Sequence, residues 1–321
     1  MKPESARLPG FAAGAAGRVQ RRARDRILRD PAPFPHRLLP LLLLAPQLAI
    51  TVLFFVWPAA QAVRGAFYRS DPFGLSQHFA GWANFAALFQ DGDYLRAFRV
   101  TAVYALSATA GAMALGLLLA ALTDSLSRGR VLYRTLFIWP YAVAPAITGA
   151  LWVFMFSPQV GIGARLLAAA GVNWDYILDG RQALWLVIAM TAWQQIAYNF
   201  LFFTAGLQSI PVSLLEAAAL DGASPLRRFW TVVFPLLAPT SLFLLVMNTV
   251  FVLFDTFGLI NIVTQGGPGH ATQTLVYKLY LDGFQNLNLG SAAAQSVLLM
   301  LLVAGLTVLQ FRGIGRKVHY Q

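Results

Sequence analysis

Residue types that do chemistry are scarce in this chain of 321 residues. It has no cysteine, which excludes disulfides, thiolate metal sites and cysteine nucleophiles. Its four histidines, His36, His78, His270 and His319, are scattered without the spacing of a metal site. The lysines are Lys2, Lys278 and Lys317, and none follows a glycine. The Gly-Lys-Ser/Thr turn that cradles nucleotide phosphates is therefore missing. No nucleophile stands beside a base in any recognisable pattern, so no catalytic residue and no metal ligand is assigned. If the chain performs work, another chain supplies the energy.

Two sets of residues remain. The first runs from Ile210 to Pro235. Pro211 suits a first helical turn, and Ser213 with Glu216 has the spacing of a capping box. Leu214, Leu215, Ala218 and Ala219 share one helix face. Asp221-Gly222 stops that helix, because glycine accepts the left-handed cap conformation. Ser224-Pro225 starts another with an N-cap and a proline at its first position, and it continues through Arg227, Arg228 and Trp230 to Pro235. The apolar face of this helix–turn–helix either packs on the rest of the chain, with Glu216 serving only as a cap, or receives a partner.

The second set comprises polar residues inside apolar stretches: Gln194, Gln195 and Asn199, then Asn248 and Asp255, then Gln295. Polar groups in a membrane are costly, so each is a candidate for a translocation path or for hydrogen bonding between helices. Gln195 and Asn199 are four residues apart and lie on one helix face. Asp255 is the one acid in these stretches.

The elements that must position these residues follow from composition. Hydrophobic residues make up 58% of the chain and charged ones 12%, about half the usual share, which excludes a water-soluble enzyme. Six stretches are long and apolar enough to cross a bilayer: Leu38–Val63, Val100–Leu122, Thr135–Phe156, Leu184–Gln208, Leu236–Val263 and Ala292–Phe311. The first is too long, and its preceding tail too extended, for a cleavable signal peptide. Of the 24 lysines and arginines, 17 fall in segments 1–37, 123–134, 209–235 and 312–321, and 7 in segments 64–99, 157–183 and 264–291. The positive-inside rule puts the first group, with both termini, in the cytoplasm.

Residues 1–37 form a basic tail with six arginines between Arg18 and Arg29, followed by Pro31, Pro33 and Pro35. A net charge of +11 raises the question of nucleic acid, but these positions are where orientation charges belong, and anionic lipid is the expected partner. Asp71-Pro72-Phe73-Gly74 is a turn signal, and Gly81-Trp82-Ala83-Asn84-Phe85 places aromatics near an interface. Pro140 and Pro145 predict a kink or unwinding within the third span. Gln265-Gly266-Gly267-Pro268-Gly269 predicts a sharp end to the fifth. The expected fold is an all-α membrane protein with a tail (1–37) and a six-helix domain (38–321) carrying a loop at about 209–235.

Glu216-Ala217-Ala218, three residues, Gly222, and a Pro235 ending resemble the EAA signature of ABC importer permeases, with Val232 and Phe234 where Ile and Leu are usual. The resemblance extends from about Leu38 to Gln321, through Leu44-Ala45-Pro46-Gln47-Leu48, Pro140 to Ala146, Tyr198 to Phe203, Phe254-Asp255-Thr256-Phe257 and Gly266-Gly267-Pro268. It is to the carbohydrate-type permeases, those that import sn-glycerol-3-phosphate in particular; a sugar or oligosaccharide is the alternative cargo. It implies the type I permease fold in the cell inner membrane, with the loop forming coupling helices against an ATP-hydrolysing subunit. Glu216, Ala217, Ala218, Asp221 and Gly222 would make that contact. The implied partners are a second, homologous permease, two ATP-binding subunits that hold ATP and Mg, and a periplasmic solute-binding protein. Gln195, Asn199, Asn248 and Asp255 remain path candidates. With no Lys or Arg in the spans, selectivity for an anion would reside outside this chain. An ion-coupled secondary transporter is the reading from another class; it leaves the 209–235 loop unexplained and has only Asp255 as a coupling acid.

Overall fold

The computed structural model describes residues 38–71, 76–125 and 129–313. The basic tail, Pro72, Phe73 and Gly74 of the expected turn, and the C-terminal cations Arg316 and Lys317 lie outside the described residues. The chain divides into two compact units, one ending at Gln61 and one running from Ala62 to Gln321.

In the first unit, α1 runs Leu38–Thr51 through a π-helical turn, Val52–Val56, into Trp57–Gly65, which crosses the boundary. Pro46 lies inside it, where its missing N–H removes one rung of the ladder. In the second unit a short antiparallel hairpin, β1 (Tyr68–Ser70) and β2 (Gln77–Phe79), pairs Tyr68 with Phe79 and Ser70 with Gln77. Helix α2 (Ala83–Gln90) then leads to α3 (Gly92–Ser125).

Helix α4 (Arg130–Ile138) and α5 (Pro145–Phe156) are joined by a 3₁₀ turn and an extended pair, Val143 and Ala144. The two helical arms meet at 101°. Pro145 is the cause: a proline ring drives the preceding residue out of the α region, and Ala144 sits at φ −59°, ψ 141°. The expected break in the third span is thus present as an elbow. Gln194, buried on α7, donates from Nε2 to the Val143 carbonyl at 3.4 Å, partly replacing the lost ladder bond.

Helix α6 (Ile162–Ala169) precedes α7 (Gly180–Gln208), whose N-terminus is capped by Asp179 accepting from the Arg181 and Gln182 amides. After it come α8 (Val212–Leu220), α9 (Pro225–Leu236, with a π turn at Phe229–Val233) and α10 (Ala238–Phe254). The chain finishes with α11 (Phe257–Val263), α12 (Leu275–Tyr280) and α13 (Leu289–Gly313).

The expected fifth span, Leu236–Val263, is corrected. α9 and α10 meet at 66° around Leu237, and a second break at Asp255 and Thr256 separates α10 from α11. Pro235 and Pro239 remove donors one turn apart at the first break. At the second, Thr256 bonds back to the Val252 carbonyl at 2.9 Å, which competes with the helical ladder. Among the described residues, four helices are long and apolar enough to cross a membrane unbroken (the Leu41–Gly65 part of α1, α3, α7 and α13), and the total rises to six if each of the two bent pairs is one span. After α11, Gln265, Gly266 and Gly269 take positive φ, so the glycine-rich segment turns the chain as expected.

The core is built around α7. Tyr104 on α3 is wholly buried and hydrogen-bonds Thr191 at 2.6 Å. Gly116 lets α3 approach closely: a Cβ there would stand 2.5 Å from the Asn199 Cβ and 3.1 Å from the Phe200 amide nitrogen. Three apolar clusters follow the bundle, and the one of Ala120, Phe200, Phe203, Ile210, Val233 and Leu237 underlies the 209–235 loop.

Candidate coupling loop and polar sites

The 209–235 loop is two helices and a turn. The Pro211 ring makes the turn into α8, with Pro211 itself at the N-cap and Val212 the first helical residue. Ser213 and Glu216 therefore form no capping box: Ser213 is already inside the first turn, and no side chain caps the helix. α8 ends in a Schellman motif. The Ala223 amide donates to the Ala218 carbonyl and the Gly222 amide to the Ala219 carbonyl, each at 3.0 Å, with Gly222 at φ +79°. Ser224 then caps α9 by accepting from the Arg227 amide at 3.4 Å, with Pro225 in the first turn.

Glu216, Ala217, Asp221 and Gly222 are exposed on this loop and Ala218 is half-buried. Leu215 and Phe229 turn inward onto the cluster beneath. Leu220 is 89% exposed, and Val212, Leu214, Leu226 and Trp230 are exposed beside it. The loop thus stands on an apolar footing of its own and still presents apolar side chains outward. Each large side chain buried by a partner would contribute about 1.5–3 kcal/mol.

The polar residues of the spans behave differently. Asn199 on α7 and Asn248 on α10 are each 0% exposed and face one another. Asn199 Nδ2 donates to Asn248 Oδ1 at 3.0 Å, and Asn248 Nδ2 donates to Asn199 Oδ1 at 2.9 Å. Each amide also donates to its own helix, to the Gln195 carbonyl at 2.8 Å and the Leu244 carbonyl at 2.7 Å. Gln195 Nε2 adds a longer bond to Asn248 Oδ1 at 3.4 Å. Both Asn amide groups are consequently satisfied within the chain. This geometry is a helix–helix clasp between α7 and α10. Asp255, by contrast, is exposed at the break between α10 and α11.

A third polar group escaped the sequence reading. Lys278 on α12 and Asp282 in the π turn after it are each 8% exposed. Lys278 Nζ lies 3.0 Å from Asp282 Oδ2 and 3.0 Å from Asp91 Oδ2 at the α2–α3 junction. Gln295 Nε2 donates to Asp282 Oδ2 at 2.6 Å and Asn286 Nδ2 to Asp282 Oδ1 at 3.1 Å. Nearby, Asn84 holds the hairpin by donating to the carbonyls of Ala66 and Tyr68, both at 2.9 Å. Asn84, Asp91, Lys278, Asp282, Asn286 and Arg69 line a cleft of about 500 Å³. Burial opposes the Asp91 charge, but the Lys278 ammonium and the backbone amides of Asp93 and Tyr94 outweigh it and hold the pKa below its ordinary 3.8. Burial likewise opposes the Lys278 charge, and the two carboxylates reverse the effect, raising its pKa above 10.5. Asp91 and Lys278 are 187 positions apart, so no local spacing could reveal the pair. Gln295 was the only member already singled out, as a polar residue in an apolar stretch.

Residues 112–318 match the family described as the binding-protein-dependent transport system inner membrane component. The sn-glycerol-3-phosphate transport system permease protein UgpA of Rhizobium meliloti (strain 1021) is 56% identical over 287 residues, 89% of this chain and 98% of that protein. Proteins of the same name from Brucella suis biovar 1 (strain 1330) and Yersinia enterocolitica are 58% identical over 287 residues and 53% identical over 283. Among solved structures, a bacterial ABC transporter involved in the import of the acidic polysaccharide alginate superposes with a TM-score of 0.76 at 22% identity, over 92% of this chain and 99% of that one. The same fold recurs, at a TM-score of 0.73, in the alginate transporter complexed with an alginate pentasaccharide-bound periplasmic protein. With a family match over residues 112–318 and relatives more than half identical over nearly their whole length, this protein belongs to the inner-membrane permease components of binding-protein-dependent ABC importers.

Proposed function

We propose that this chain is the permease subunit through which an ABC importer carries sn-glycerol-3-phosphate across the cytoplasmic membrane. The observation that carries the reading is identity of 53–58% to relatives named for that transport, over 96–98% of their length. The chain works with a second, homologous permease, two ATP-hydrolysing subunits and an external solute-binding protein. It is not itself the enzyme; ATP and Mg are held by the hydrolysing subunits. Both termini and the 209–235 loop face the cytoplasm, in line with the 17-to-7 bias of cations.

In this scheme Glu216, Ala217, Ala218, Asp221 and Gly222 seat the loop in an ATP-hydrolysing subunit. ATP-driven closure of those subunits moves the loop, and the bundle above it opens outward to receive substrate from the binding protein. The Gln195–Asn199–Asn248 clasp supports the path from behind by tying α7 to α10. Asp255 is the path candidate left exposed. An ionised carboxylate there would repel a phosphate ester, and the expected spans hold no cation to compensate. Anion selectivity therefore belongs to the binding protein or the partner permease, and a mutant of this chain alone that switched substrate class would refute that assignment. The function is tested by uptake of labelled sn-glycerol-3-phosphate into proteoliposomes holding the complete complex, with ATP and binding protein each added or withheld. Uptake requires both and resists competition by maltose-type sugars. Uptake by this chain alone, driven by an ion gradient, would sink the proposal.

A further inference from the structure

The cleft beside Lys278 is walled by two segments far apart in the chain: Arg69 and Asn84 from β1 and α2, and Asn286, Leu287, Asn288 and Ser291 from the turn into α13 and its first turn. The segments meet at Gly290, where a Cβ would stand 2.5 Å from the Tyr68 carbonyl oxygen and 3.1 Å from Asn84 Nδ2. Every carboxylate oxygen in the cleft already has a donor within the chain. Lys278 faces Oδ2 of both acids, Asn286 and Gln295 donate to Asp282, and the Asp93 amide donates to Asp91 Oδ1 at 2.9 Å. What the cleft has left to offer is donors. Arg69 spends its Nε on Asn84 Oδ1 at 3.4 Å, and Asn84 is itself fixed by the Ala66 and Tyr68 carbonyls. Asn288 Oδ1 accepts from the Ser291 amide at 3.2 Å. The terminal nitrogens of Arg69 and Nδ2 of Asn288 belong to exposed residues and have no acceptor among the described residues. Because Lys278 holds both acids, Arg69 is the charge in this cleft without an ionic partner among the described residues.

The mouth of the cleft decides the occupant. Leu287 lines it, 43% exposed and at φ +52°, a left-handed conformation that a residue with a Cβ adopts only at a cost. Backbone bonds hold it there: the Asn286 amide donates to the Leu281 carbonyl and the Asn288 amide to the Asp282 carbonyl, each at 2.8 Å. Phe284, in the π turn just before, is 72% exposed. An arginine on a fixed post, an outward leucine and an exposed ring together match a protein interface, where arginine and aromatic residues are enriched. A free phosphate ester would use the arginine and leave the apolar rim idle. On the topology proposed above, both walls lie outside the cell membrane, in segments 64–99 and 264–291. We infer that this cleft receives an acidic side chain of the external solute-binding protein, its carboxylate gripped by the Arg69 guanidinium and its surroundings packed on Leu287. The inference rests on the import reading for the identity of the partner and adds the place and chemistry of the contact.

The test measures the affinity of the loaded binding protein for the assembled complex in nanodiscs by surface plasmon resonance. Arg69→Gln raises Kd about tenfold, as expected for the loss of one charge-assisted fork. Arg69→Lys, which keeps the charge and loses the fork, falls between, and it carries the test if the glutamine variant fails to assemble. Arg69→Glu binds more weakly still, and reversing the charge of one acidic residue on the binding protein restores its affinity. Arg96→Gln, which removes an exposed cation of α3 outside the cleft, leaves Kd unchanged. Equal affinity of wild type and Arg69→Gln overturns the inference. An equal loss in Arg96→Gln also overturns it, because general attraction to a basic face then accounts for both. Equilibrium dialysis of labelled sn-glycerol-3-phosphate against the complex without binding protein addresses the other occupant. Retention by wild type that Arg69→Gln loses assigns the cleft to the solute and overturns the inference as well. If the wild-type complex fails to bind the binding protein at all, the import reading falls together with the inference. If it binds and imports while Arg69→Gln docks normally, the inference falls alone.

Discussion

The Asp91–Lys278–Asp282 group and the 209–235 loop are built on opposite principles. The first is a set of charges that the chain pairs by itself: the Lys278 ammonium lies 3.0 Å from each of two carboxylates, and amide side chains take up carboxylate oxygens. The second exposes leucine, valine and tryptophan side chains. In one region the charges find their partners within a single polypeptide; in the other, apolar side chains are left for something that comes to them. On the topology proposed above, the first group belongs to the outer loops and the second to the inner face, where a driving subunit would act.

The comparison breaks most sharply at Lys278. Replacing it with methionine leaves Asp282 buried without a cation, and the expected loss is about 3–5 kcal/mol. Tryptophan fluorescence during thermal unfolding in detergent should show it, and Lys278→Met combined with Asp282→Leu should recover most of the loss. If the single variant unfolds like wild type, the group is not the lock described. Next in size is the clasp between α7 and α10. Asn199→Leu strands the Asn248 amide and should cost about 1–3 kcal/mol, whereas the double change to leucine at 199 and 248 should be close to neutral in the same assay. A double variant as unstable as the sum of the singles would show that the amides do more than satisfy each other.

At the loop the expected effect moves from stability to coupling. Gly222→Ala meets no steric neighbour, because a Cβ there has open space, so its cost is the left-handed backbone alone, about 1–2 kcal/mol. Unfolding of the chain should shift by no more than that cost, while ATP hydrolysis stimulated by the binding protein should fall; Gly222→Asn should be milder in both, since asparagine visits that region more readily. Unaltered stimulation in Gly222→Ala would detach the turn from coupling. The smallest effect concerns pH. The lowered Asp91 pKa contributes stability that is present above about 3.8 and lost as pH falls through the folded value. The raised Lys278 pKa contributes stability that is complete below 10.5 and lost as pH rises through the folded value. Between those limits the Asp91–Lys278 pair should be indifferent to pH, and a neutral-range titration in wild-type melting curves that Asp91→Asn abolishes would contradict it.

Much of the loop was legible because its signals are local. Asp221-Gly222 followed by Ser224-Pro225 carries a stop and a start within five residues, and both occur where the spacing placed them. The elbow in the third span was announced by Pro140 and Pro145 for the same reason. Ser213 misled because Pro211 can itself end the preceding turn and take the cap position, which leaves the serine inside the helix. The continuous fifth span misled because hydropathy is blind to where a helix bends: the residues either side of Asp255 and Thr256 are apolar, and the break is a matter of backbone angles. The Asn199–Asn248 and Asp91–Lys278 partners are set by how helices pack, and spacing along the chain carries no trace of it.

The elbow at Val143 and Ala144 has a mechanical meaning. In an unbroken helix a push at one end travels through the backbone hydrogen-bond ladder as through a rod. Here the ladder is interrupted, so the two arms are separate levers sharing a joint. The lower arm, α4, is pinned to the footing of the 209–235 loop through Phe137 and Ile138, while the upper arm, α5, leans through Gly149 on Ile262 and Val263 of α11. On the proposed coupling, force applied at the loop would reach the upper arm as rotation about the joint, which Gln194 holds at the Val143 carbonyl, and not as a piston stroke along one axis.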